Sequence, residues 1–171
     1  MRSQQKQPQL GAVARPLTFE RGRGVYAVET TAGLAHVVVQ VGDDGRRVER
    51  LQRVLRALAD AQIPIFLIKL HPESISFALE SDLVTRAEDC LHGLAGECGA
   101  RGDLSLVTIT ATSMRDLNDV MVTIAESLQQ AGARLYGIGD SHNTVQCLVE
   151  TAWAAAAVTE LTAAFGLEAQ G

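Results

Sequence analysis

The sequence predicts an α+β fold made of two consecutive units, each an antiparallel sheet with its helices on one face. Three observations point there. Sliding the chain against itself brings hydrophobic classes into register at an offset of 70 residues, without gaps. Within each half, short β-branched runs alternate with stretches of helical period. The 171 residues are 47% hydrophobic and 20% charged, enough apolar content for a core in one ordinary domain or two small ones.

The offset sets Val37, Val39 and Val41 on Val107, Ile109 and Ala111, and Leu51, Val54 and Leu58 on Met121, Ile124 and Leu128. Ala61 meets Ala131, Ser74-Ile75-Ser76-Phe77 meets Thr144-Val145-Gln146-Cys147, and Glu80 meets Glu150. Residues 36–41 and 104–111 are strand-length runs closed by turn residues, Gly42-Asp43-Asp44-Gly45 in one case and Thr112-Ser113 in the other. Val48, Leu51, Val54, Leu55 and Leu58 then trace one helical face, with arginines and Glu49 on the rest. Residues 117–131 repeat the pattern through Val120, Met121, Ile124 and Leu128. A strand is expected over 63–70, with Pro64 at its start where a missing N–H is tolerated. His71-Pro72-Glu73 turns the chain into a hairpin strand over 74–80, and Asp140 to Asn143 is the matching turn in the second copy. A second helix follows over 83–94, with Asp82 as its N-cap and Gly96 as its stop.

Residues 25–29 lead the first copy and 95–99 the second. With both helices of a copy on one face of a four-stranded sheet, each unit is a ferredoxin-like βαββαβ arrangement. The expected boundaries are a flexible tail over 1–22, a first unit over 23–98 and a second over 99–171, with strand 25–29 available to complete the second sheet.

Composition narrows the function. A net charge of −5 argues against nucleic-acid binding, which needs clustered lysine and arginine. No apolar run approaches the 18 or more residues of a membrane span, and the first ten residues lack a signal-peptide core, so a cytoplasmic protein without membrane contact is expected. Cys90, Cys98 and Cys147 form no CxxC and read as small core residues. The four histidines have no metal-ligand spacing, and there is no complete glycine motif for a nucleotide, so neither metal nor cofactor is expected. Ser141-His142 beside Asp140 invites a hydrolase reading, but adjacent residues on an extended segment point to opposite faces. Trp153 and the alanines after it read as a packing face.

The passage from Val54 to Ile65, VLRALADAQIPI, resembles the helix-to-strand passage of the ACT regulatory domains of aspartokinases. Residues 72–79 (PESISFAL) resemble that family's serine-rich hairpin, and residues 158–167 its closing helix. The resemblance runs from about Val25 to Leu167 and has no counterpart of the catalytic domain. It implies a stand-alone tandem ACT protein that binds an amino-acid effector of the lysine or threonine class where units meet. Such a protein forms a homodimer and regulates a separate catalytic subunit, with no catalysis of its own.

The implied ligand residues are Gly42, Asp43, Asp44, Gly45 and Arg46 in the first copy and Ser113, Met114, Arg115, Asp116, Asn118 and Asp119 in the second. Helix-start N–H groups suit a carboxylate there, and acidic side chains an ammonium. Ile63, Pro64, Ile65, Arg134 and Leu135 occupy the family's second contact segment. Two departures stand out. The family's Pro-Gly is replaced by Val48-Glu49 and Asn118-Asp119, and its Asn-Ile by Pro64-Ile65 and Arg134-Leu135. The rival reading is an interaction module that oligomerises or docks on a catalytic subunit without binding a small molecule.

Overall fold

The computed structural model describes residues 24–42, 44–114 and 119–167. The expected tail lies outside the described residues. Six strands and four helices follow in the order β1 (Val25–Gln40), α1 (Arg47–Asp60), β2 (Phe66–Leu70), β3 (Ser74–Glu80), α2 (Val84–Leu91), β4 (Cys98–Ala111), α3 (Val120–Gln130), β5 (Leu135–Asp140), β6 (Thr144–Glu150) and α4 (Thr151–Ala164).

The strands form one antiparallel sheet in the order β2-β3-β1-β4-β6-β5. Two four-stranded sheets were expected from the sequence. The difference lies in the leading segments: residues 25–29 and 36–40 are not separate strands but parts of the 16-residue β1, and 95–99 runs into the 14-residue β4. These two long strands pair with each other along their length, Val25 opposite Ala111 at one end and Val39 opposite Cys98 at the other. The β1–β3 ladder runs from Leu34↔Glu80 to Gln40↔Ser74, and the β4–β6 ladder from Leu104↔Glu150 to Thr110↔Thr144. Every partner in the second ladder is 70 positions after its counterpart in the first.

Gly33 (φ +80) and Asp103 (φ +55), themselves 70 apart, sit in the left-handed region beside the register shifts of the central pair. A bulge there bends both long strands. Alternation then gives the sheet two apolar faces. Val37, Val39, Ile75 and Phe77 pack under α1 and α2, and Val107, Ile109, Val145 and Cys147 under α3 and α4. Leu34, Ala78, Leu104, Leu106 and Leu148 form a third cluster on the face without helices, joined by Phe66, Leu67 and Tyr136. The edge strands β2 and β5 touch across this cluster. The Leu67 side chain lies over Gly137 and Gly139, and a Cβ on Gly139 would stand 2.5 Å from its Cδ2. The bent sheet therefore closes on its own helix-free face, with the helices outside.

Several local expectations shift. β2 starts at Phe66, leaving Ile63, Pro64 and Ile65 in the approach to the strand. Asp82 caps nothing: a 3-10 turn over Ser81–Leu83 precedes α2. That helix ends at Leu91 with Gly93 (φ +75) beyond it, while the Gly96 N–H donates to the Gln40 carbonyl at 2.8 Å and serves the sheet. α3 begins at Val120, and Leu117 lies outside the described residues. Ala154, Ala157 and Leu161 do pack, but Trp153 is 45% exposed, one helical step away from that stripe.

Candidate functional site

The implied ligand residues fall in three places. Because β1 and β4 are antiparallel, the loop after β1 and the loop after β4 lie at opposite ends of the central pair. The segments before β2 and β5 enter near its middle. Within one copy, α1 separates Gly42–Arg46 from Ile63–Ile65 by its length, about 21 Å at 1.5 Å per residue. The chain alone does not bring these sets together.

The first loop is braced by its own arginines, beside a cleft of about 530 Å³ lined by Gly42, Arg50 and Gly96. Arg50 donates from Nη1 to the Val41 carbonyl at 2.8 Å and pairs through Nη2 with the Asp44 carboxylate. The Arg46 N–H donates to Asp44 Oδ1 at 3.0 Å. That bond first, and the Arg50 side-chain bond second, hold the Asp44 carboxyl below its usual value. Arg47 donates to the His71 carbonyl in the adjoining hairpin. Gly42, at φ +67, leaves room for this: a Cβ there would lie 2.6 Å from Arg50 Nη1. Gly45 and Arg46 are exposed, and Asp43 lies outside the described residues.

Of the second loop, residues 112–114 and 119 are described. Position 120, equivalent to Arg50, is valine. A cleft of about 650 Å³ lies at the start of α3, between Met114 and the β5–β6 turn. Its polar lining comes from Asp119, Asp140, Ser141 and His142, its apolar lining from Val120, Met121 and Val145. The turn and the loop are tied by the Met114 N–H, which donates to the His142 carbonyl at 2.8 Å. Asp119 starts α3 at φ +61 with no side-chain capping bond, so the first-turn N–H groups are not taken up by its carboxylate. Ser113 is half-buried beside Met114, and Arg115, Asp116 and Asn118 lie outside the described residues.

The β5–β6 turn as a wall of this cleft is absent from the sequence-based list. A signal existed: the hairpin equivalent in the first copy, 71–73, also meets its loop, through the Val41 N–H bonded to the Glu73 carbonyl at 2.7 Å. Ser141 Oγ is engaged with Thr144 Oγ1 at 2.7 Å and the Thr144 N–H at 3.2 Å, as a turn hydroxyl would be.

The middle set belongs to packing. Ile63 is buried and Ile65 half-buried against the first core, while Pro64 and Leu135 face outward. Arg134 stacks 5.3 Å over the Tyr136 ring, and Arg101 lies 5.5 Å from it. Tyr136 donates to Glu150 Oε1 at 2.8 Å, and Arg101 pairs with the same oxygen at 2.9 Å. His36 approaches this ring at 6.4 Å, and burial, with His71 as a smaller cause, lowers its pKa. Among the described residues no three His, Cys, Asp or Glu side chains gather as a metal site, and no helix is long and apolar enough to cross a membrane. The cleft after β4 sets acidic side chains, Asp119 and Asp140, beside a helix start that Asp119 does not cap.

No family model matches the chain, and no curated protein matches it in sequence. Solved structures do. The ligand-free regulatory subunit of aspartate kinase from Thermus thermophilus superimposes with a TM-score of 0.76 at 20% identity, covering 84% of this chain and 99% of that one. The fold is that of an aspartate kinase regulatory subunit. The Thermus flavus regulatory subunit gives 0.74 at 20% identity, covering 84% of this chain and 99% of its own. Escherichia coli aspartokinase III, in complex with lysine and aspartate, gives 0.64 at 15% identity; 85% of this chain matches 34% of that larger one. The matches to the aspartate kinase regulatory fold thus include whole regulatory subunits rather than catalytic ones.

Proposed function

We propose that this chain is a tandem ACT regulatory protein, two ferredoxin-like units over residues 23–98 and 99–171, that binds an amino-acid effector and adjusts a separate catalytic subunit of aspartokinase type. It does no chemistry of its own and works in the cytoplasm. One observation carries the reading: a cleft of about 650 Å³ at the start of α3 is lined by Asp119 and Asp140 beside a first helical turn that the Asp119 side chain does not cap, in a fold shared with aspartate kinase regulatory subunits. Asp119 and Asp140 suit an ammonium, the first turn of α3 suits a carboxylate, and Met114 and Met121 suit a short aliphatic side chain. The effector is of the lysine or threonine class, and the complex of aspartokinase III with lysine supports the first.

A homodimer fits the helix surfaces. On α1, Val48 is 77% and Leu55 37% exposed, flanked by exposed Arg46, Arg53 and Arg56. On α3, Met121 and Val122 are exposed beside Asp119 and Glu126. Opposite charge around matching apolar stripes favours α1 of one copy against α3 of the next, and a dimer would bring loops and middle segments of different chains together. These same surfaces favour the second reading, an interaction module without a ligand.

Thermal shift and calorimetry with the twenty amino acids decide between them. A ligand at a hundred times its Kd stabilises by about 2.7 kcal/mol. At least one amino acid is expected to do so, and Asp119→Asn with Asp140→Asn to abolish it. Twenty null titrations with a dimer intact sink the effector reading and leave the module.

A further inference from the structure

We infer that Leu67 is a strained latch: its side chain, seated over Gly137 and Gly139 of the opposite edge strand, holds the two halves of the chain shut on their helix-free face, and its backbone relaxes when the seat is lost. The strain is in the backbone. Leu67 sits at φ +50, where an L side chain is disfavoured roughly 5–30-fold. It falls in the register shift between Phe66↔Ala78 and Lys69↔Ser76, where β2 carries one residue more than β3. A bulge with a left-handed residue ordinarily puts glycine there.

What the strained residue achieves is visible on the helix-free face. Neighbours in a regular strand point to opposite sides. Phe66 and Leu67 instead pack against the same cluster, that of Leu34, Ala78, Leu104, Leu106 and Leu148. The left-handed turn brings Leu67 round to the side of Phe66 and so to the opposite edge strand.

The second half of the chain shows that local preference is not the cause. Seventy positions after Leu67 stands Gly137, one of the two residues under its side chain. β5 also shifts register, between Leu135 and Gly137. Yet the glycine, which could take a positive φ freely, does not, and the leucine does. What the glycines contribute is space: a Cβ would stand 3.8 Å from Leu67 Cδ1 at position 137 and 2.5 Å from Cδ2 at position 139. Side chains on both edges would collide, whereas a leucine against glycines fits as a knob in a hole.

Ile63, Pro64 and Ile65 lead into β2 and Arg134 into β5, so a displacement of either segment reaches the latch. Release uncovers Leu148 and its apolar neighbours and frees the two edge strands from each other. The latch goes beyond the effector reading and stands apart from it, because it can be tested without any effector.

The experiment is NMR on the full chain, with the HN–Hα coupling and Cα shift of residue 67 reporting its φ and hydrogen exchange reporting the edge strand. The wild type should show a left-handed residue 67. Gly139→Val fills the seat with a residue that strands accept, and Leu67→Ala empties it from the other side. In each, residue 67 should move to extended backbone and the β2 amides exchange roughly tenfold faster, while those of β1 and β4 keep their protection. The double variant should exchange no faster than the more affected single one, since both changes remove one contact. A positive φ persisting at residue 67 in either folded variant shows that the bulge alone sets the backbone and overturns the inference, as do additive effects in the double variant. Should Gly139→Val fail to fold, the φ of residue 67 in Leu67→Ala decides.

Discussion

Gln62 is the residue whose replacement is expected to strengthen the fold, and its partner 70 positions later supplies the control. Helix α1 ends in a Schellman closure: the Gln62 N–H bonds to the Ala59 carbonyl and the Ile63 N–H to the Leu58 carbonyl, both at 2.9 Å. Helix α3 ends the same way, through Gly132 to Gln129 at 3.0 Å and Ala133 to Leu128 at 2.9 Å. The closure needs a left-handed residue, at φ +53 for Gln62 and +70 for Gly132. A side chain in that region costs about 1–2 kcal/mol. Glycine avoids the cost but gives back about 0.5–1 kcal/mol through its freer unfolded chain. Gln62 is exposed, so no packing is lost. Gln62→Gly should therefore stabilise by about 0.5–1 kcal/mol, and Gly132→Gln should destabilise by a similar amount. At about 2–4 °C per kcal/mol for a chain of this size, the midpoint moves by roughly 1–4 °C in each direction. Circular-dichroism melts of both variants and their combination provide the assay, with near-additive shifts expected for sites on separate helices. A lower midpoint for Gln62→Gly, or none of the expected loss for Gly132→Gln, would refute the equivalence of the two helix ends.

Further expectations concern the core and the titrating groups. Leu148, fully buried in the cluster that closes the sheet, should cost about 2–5 kcal/mol on change to alanine in urea unfolding; a loss below about 1 kcal/mol would mean the helix-free faces do not pack as described. His36 has a lowered pKa, so below its ordinary 6.5 the unfolded chain binds the proton more readily than the folded one. Stability should be full above that pH and fall as acid is added, and His36→Gln should flatten this part of the profile; an unchanged profile counts against it. The Cys147 thiol is pushed up to about 12 by burial. Mass spectrometry after iodoacetamide treatment at neutral pH should find it unmodified until the protein is unfolded, and rapid labelling of the native protein would contradict its burial.

Much of the architecture was legible because it rests on local pattern. The hairpin strand over 74–80 matches its observed bounds, since Ile75, Phe77 and Leu79 recur with period two after the turn residues His71-Pro72-Glu73, although Ser76 and Ala78 prove buried on the other face as well. The helix after Arg46 declares itself through Val54 and Leu58, both buried. The candidate site was legible only in part. Asp44 and Arg46 could be read as a charged turn, but nothing local reveals that Arg50, one helical turn on, reaches back to the Val41 carbonyl. Asp140 and His142 read as a turn, and their role as a cleft wall depends on where β5 and β6 carry them.

The order of elements, their repetition at an offset of 70 and the resemblance to aspartokinase regulatory domains were all determined by the sequence, because hydrophobic period is a property of neighbouring residues. Tertiary structure alone decided that residues 25–40 form one strand, that six strands make one bent sheet, and that Leu67 meets Gly137 and Gly139 across it. Those outcomes depend on contacts between residues far apart in the chain, and an amino-acid pattern specifies which face is apolar without naming the surface that covers it.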